Sequence, residues 1–109
     1  MTAVEYDFAT PLPHPGDVLR EDVLPDFGLS AGALAKAMGL KDRTRIERLL
    51  RAQQPVTADT ALRLGRVFGT SAQLWLNMQA AHDLSVTYIA KKEEIANLKQ
   101  VQPARVLSP

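Results

Sequence analysis

The stretch Leu29 to Thr57, LSAGALAKAMGLKDRTRIERLLRAQQPVT, admits few folds. Ser30 can cap a helix, because its hydroxyl can accept a bond from an orphan amide at a helix start. Leu34, Ala35 and Met38 follow at a spacing that places them on one face. Gly39 stands where that helix must stop and the chain must pass through positive φ, which glycine does at little steric cost. A second helix follows Leu40, with Asp42 as its expected cap and Ile46, Leu49 and Leu50 on its buried side. At about 100° per residue, Thr44, Glu47, Arg48 and Arg51 fall opposite, with Arg45 flanking and Arg43 near the amino end. The reading is two short helices meeting at a tight turn, with cations on the second.

Charge supports a polyanion-binding face. The net charge is only +1, but it is unevenly spread. Residues 1–30 carry Arg20 against six carboxylates, a balance of −5, while residues 31–66 carry eight Lys and Arg against three carboxylates, a balance of +5. Charge alone would favour a set of solvated helix faces. Cations beside that turn geometry favour a helix-turn-helix, whose second helix enters the major groove of DNA amino end first.

A chain of 109 residues with 46% apolar content suits one compact core. It has no cysteine, hence no disulfide framework. Glu5 and Asp7 stand where a secretory signal would carry cations, and no apolar run approaches a membrane span. A soluble cytoplasmic protein is therefore expected.

Residues 1–13 form an arm, either packed through Tyr6 or Phe8 or disordered. His14-Pro15-Gly16-Asp17 opens a first helix, since proline lacks an amide where none could be paired. Val18, Leu19 and Val23 are its buried stripe, and Pro25 is expected to end it. Past the recognition segment, Pro55 marks a short connection and Thr57 caps a fourth helix, with Asp59 in its first turn. There Ala61, Leu62, Leu64, Gly65 and Phe68 can face inward, and Gly69 terminates. Thr70 or Ser71 caps a fifth helix, in which Leu74, Trp75 and Met78 share a face, with His82 a further candidate. Residues 86–98 carry a weaker helical pattern. The expectation is an all-α fold: a five-helix Cro/lambda-repressor-like helix-turn-helix domain over residues 14–84, with an additional C-terminal helix and tail over 85–109.

Four segments carry a family resemblance: HPGDVLRE at 14–21, Gly28-Leu29-Ser30 with Leu34-Ala35, TADTALRL at 57–64, and AQLWLNMQ at 72–79. Together they resemble the HigA-type antitoxins of the Xre/Cro-like helix-turn-helix class, over roughly two thirds of the chain. Three places depart from the family pattern. Lys41-Asp42-Arg43-Thr44 is one residue longer than the usual turn, Ala52 replaces a common glycine, and Leu74 often is an aromatic ring. The first two leave the register of base contacts open. The resemblance implies a homodimer that binds a palindromic operator in its own promoter, and binds a HigB-like mRNA-cleaving toxin.

The expected DNA contacts follow from the helix faces. Arg43, Thr44, Arg45 and Arg48 are candidates for base edges, with arginine forking onto guanine. Arg51, Lys41 and Lys36 suit phosphates, together with Ser30 at its helix start. Glu47 suits an intrahelical pair with Arg43 or Arg51, both four residues away. Leu76 and Ala80 are the candidate dimer surface, and Trp75 is read as core. His14 and His82 are read as no metal site, being far apart in sequence, and no cofactor is expected. An enzyme is disfavoured by the absence of a nucleophilic cysteine, a phosphate loop or a paired histidine and carboxylate. The alternatives are a stand-alone phage-like repressor without a toxin and a pure protein-interaction domain.

Overall fold

A computed structural model describes residues 8–105, and among these the regular structure is entirely helical. Helix α1 (15–27) is laid down in three sections: Pro15–Val18, a π-helical turn at Leu19–Val23, and Leu24–Phe27. Then follow α2 (Ala31–Ala37), α3 (Thr44–Leu50), α4 (Ala58–Phe68) and α5 (Ala72–Ala96).

Pro25 does not end the first helix as expected. The Leu24 amide reaches back to the Leu19 carbonyl, one residue beyond the usual partner. That widened turn lies directly before the proline, which has no amide to give and whose ring would crowd an ordinary turn. The helix stops instead at Gly28, whose φ is 63°. Elsewhere the local signals act as read. Ser30, Thr57 and Ser71 accept the amides of Ala33, Thr60 and Leu74, and Gly39 and Gly69 take positive φ after α2 and α4.

The separate helix expected after residue 84 is a continuation of α5. Nothing between Leu84 and Val86 breaks the helix, and Ser85 there is fully buried. A local departure from helical angles occurs only further on, at Lys91.

Leu19, Leu34, Ile46, Leu49, Leu64 and Trp75 form the centre of the core, drawn from all five helices. Trp75 is 2% exposed, and its indole nitrogen donates to Thr70 Oγ1 at 2.8 Å, so the ring is buried without an orphaned donor. Leu62, expected inward, is 65% exposed: it lies one residue off the stripe formed by Ala61, Leu64 and Gly65.

In the arm, Phe8 packs edge-on against Tyr88, while Tyr6 lies outside the described residues. The two histidines, read as no metal site because they are far apart in sequence, meet in space, with ring centroids 5.0 Å apart. Separation in sequence was therefore no argument about them. No group of three potential metal ligands occurs among the described residues.

Candidate nucleic-acid interface

Helix α3 is short and gets its position from its surroundings. Ile46 and Leu49 are buried on one side, while Arg43, Arg48 and Arg51 are exposed on the other. Its amino end is organised by Asp42, whose Oδ1 accepts from the Thr44 amide at 2.8 Å and the Thr44 hydroxyl at 2.7 Å. The expected capping side chain thus acts from one residue outside the cap position at Arg43. Those two bonds hold the Asp42 carboxyl below its ordinary pKa, the amide bond first.

Its carboxyl end rests on α1. A Cβ at Gly16 would stand 1.8 Å from the Leu49 carbonyl oxygen, so only glycine permits this approach of the two backbones. Arg20 adds a bond from Nη1 to the Leu50 carbonyl at 2.7 Å, placing a cation where the α3 dipole is negative. The chain then leaves through Ala52, at φ 56°. The family resemblance implies a glycine at this site, and a positive φ is the backbone conformation that glycine adopts at little cost.

Each predicted contact residue has a definite place. Ser30 caps α2, Lys36 is exposed in the last turn of α2, and Lys41 is exposed in the turn before α3. Arg43 lies along the surface beside Gly32, with its Nε 3.0 Å from Glu47, the intrahelical pairing expected. Thr44 is half-buried and its hydroxyl is engaged by Asp42. Arg48 and Arg51 make no side-chain hydrogen bond or ion pair among the described residues.

Arg45 is different. Its Nη2 donates to Asp59 Oδ2 and to Thr60 Oγ1, both at 2.6 Å. Asp59 also takes Arg63 Nε at 3.1 Å, and Arg63 Nη1 bonds the Met38 carbonyl at 2.7 Å. This chain of contacts ties α3 to α4 and to the turn that precedes α3. The two arginines, Arg45 first, hold the Asp59 carboxyl below its ordinary pKa. Sequence reading missed these supports. The Asp59–Arg63 pair, four apart on one helix, was the available signal. Behind them Gln79 Oε1 accepts the Val56 amide at 2.8 Å, fixing the connection after α3.

The candidate dimer residues lie on α5, Leu76 half-buried and Ala80 exposed, with exposed Leu84 one turn further on.

No family model matches the chain. It is 33% identical over 84 residues to antitoxin HigA-1 of Vibrio cholerae, covering 77% of this chain and 78% of that protein. The chain belongs to the HigA-type antitoxin family. Within the wider group it is 55% identical over 76 residues to virulence-associated protein I of Dichelobacter nodosus, covering 70% of this chain and 69% of that one. Among solved structures, Pseudomonas aeruginosa antitoxin HigA with the higBA promoter superposes with a TM-score of 0.75 at 36% identity, covering 86% of this chain and 99% of that one. Membership makes this chain an antitoxin-class helix-turn-helix protein and not an enzyme. No helix among the described residues is long and apolar enough to cross a membrane.

Proposed function

We propose that this HigA-type chain binds a palindromic operator in its own promoter as a homodimer, and neutralises a HigB-like mRNA-cleaving toxin. The observation that carries the DNA half is the seating of α3: Ile46 and Leu49 anchor it, while Arg48 and Arg51 face outward with no side-chain hydrogen bond or ion pair among the described residues. The relative solved with the higBA promoter supports the same use of the fold.

In this reading Arg48 reads base edges in the major groove, with Arg43 and the Thr44 methyl at the amino end. Lys36, Lys41, Arg51 and the helix start at Ser30 meet phosphates. Arg45 is a positioning residue, because Asp59 and Thr60 already occupy its guanidinium. One short helix reads few base pairs, so a partner copy about 34 Å along the duplex completes the site. Leu76, Ala80 and Leu84 on one face of α5 are the proposed dimer contact. The acidic first helix suits a basic ribonuclease through charge complementarity.

A gel-shift series tests this at fixed salt. Arg48→Ala costs about 1–3 kcal/mol and relaxes choice at one base pair, whereas Arg51→Ala weakens all sequences alike and lowers the salt slope by about one. If Arg48→Ala weakens operator and random DNA equally, Arg48 is no base reader. Co-purification with the product of a small neighbouring gene tests the toxin half, and a repressor without a toxin is the outcome if none is retained.

A further inference from the structure

Two histidines that DNA binding does not use meet beneath the carboxyl end of α3. His14 is 4% exposed, and its Nδ1 accepts the Gly16 amide at 2.9 Å. Its ring stands edge-on to that of His82, at 76°. His82 closes on the arm, with Nδ1 2.6 Å from the Leu12 carbonyl oxygen. Beside it the Leu12 amide donates to Ser85 Oγ at 2.9 Å, and that hydroxyl donates to the His82 carbonyl at 2.7 Å. The backbone of Gln54, in the connection leaving α3, faces the His14 ring and favours its charged form, the smallest of the influences on it. One pair of rings therefore joins the arm, the start of α1, the exit from α3 and α5.

The joint requires an unprotonated Nδ1 on His14, since only a lone pair can accept the Gly16 amide. A proton there turns the acceptor into a donor aimed at another donor. It also puts a cation in a buried place against a second imidazole. The charges that oppose this are Asp17 on α1 and Asp83 on α5, but Asp17 is shared with Arg20 and Asp83 accepts from Gln79. Neither the arm from residue 8 to 13 nor the connection from 53 to 56 carries a charged side chain. Burial first, then His82, keeps the His14 ring below the ordinary histidine value of 6.5.

We propose that His14 and His82 form a proton-sensitive clasp. With His14 neutral, the pair holds Gly16 under Leu49 and keeps His82 Nδ1–H donating to the Leu12 carbonyl; a proton on His14 Nδ1 breaks the Gly16 bond and drives the two rings apart, which loosens the arm and slackens the seat of the recognition helix. The unfolded chain takes up the proton near pH 6.5 and the folded chain resists it. The clasp's contribution is thus whole above pH 6.5 and is lost as the pH falls below that value. One resisted proton costs up to about tenfold in the folding constant per pH unit in that window.

The test follows the full chain from pH 7.5 to pH 5 by imidazole NMR and by amide exchange. His14 should titrate below 6.5, and the protection factor of the Leu12 amide should drop as it does. His14→Asn keeps an acceptor for the Gly16 amide but cannot titrate, so its Leu12 protection and stability should be flat across the window. His82→Gln removes the neighbouring ring and should move the His14 titration upward. The proposal is overturned if His14 titrates at or above 6.5, or if H14N loses Leu12 protection as steeply as the parent. Should H14N not fold, an unmoved His14 titration in H82Q overturns it equally.

Discussion

Replacing Gly16 by alanine probes the contact on which the aim of α3 depends. The added Cβ would meet the Leu49 carbonyl oxygen at 1.8 Å and its carbon at 2.8 Å. Both are backbone atoms of the recognition helix, so no side chain can rotate away. Restoring ordinary contact separates the two backbones by more than about 1 Å in a close-packed interior. Overpacking of this kind costs about 3 kcal/mol, at the upper end of its usual range because only backbone can yield. For a domain of this size that is roughly a 10 °C fall in melting temperature. Where the protein stays folded, a recognition helix displaced by that amount loses a bidentate base contact, about 1–3 kcal/mol of operator discrimination. Gly32→Ala is the matched control. Its Cβ would meet Arg43 Cδ at 3.8 Å, an ordinary contact, so the change should stabilise α2 by up to about 1 kcal/mol through helix propensity. Calorimetry and operator binding on both variants decide. If G16A melts within 2 °C of the parent (against the roughly 10 °C expected) and binds operator unchanged, the close approach does not set the helix.

Other consequences are as direct. Ala52 sits at φ 56°, where an L-residue is strained, so Ala52→Gly should stabilise by about 0.5–1 kcal/mol in urea titration; a loss would show that the methyl is packed rather than strained. Asp59, whose pKa is lowered chiefly by Arg45, contributes stability that is present above its unfolded value of 3.8 and lost as the pH falls below it. Asp59→Asn should therefore flatten the acid limb of the stability curve, and an unchanged limb would mean the arginines do not hold it. Trp75→Phe should cost about 1 kcal/mol in thermal unfolding beyond its smaller area, because the indole bond to Thr70 is lost; equal stability would assign that bond no net value.

The parts legible in the sequence are those decided within a turn or two of chain. Ser30, Thr57 and Ser71 cap because their hydroxyls reach amides three residues on, and Gly39 ends α2 because one residue must take positive φ. The outer face of α3 follows from a helical period for the same reason. What aims that face comes from further away. Arg20 reaches the Leu50 carbonyl across 30 residues, Arg45 reaches Asp59 across 14, and His82 reaches the Leu12 carbonyl across 70. No local period contains those pairings, which is why Arg45 reads from the sequence as a free cation and the histidines as strangers. Ala52 lies between the two cases: its departure from the family glycine is visible in one dimension, but the strain it carries needs the backbone angle. A helix-turn-helix thus announces which side chains can face a duplex through local rules, while the seating of the helix that carries them depends on Gly16, Arg20 and Asp59. Operator specificity in this chain should accordingly respond to changes at these three residues, none of which is proposed to touch a base. A panel in which G16A, Arg20→Ala and D59N all leave base preference intact would return control of register to α3 itself.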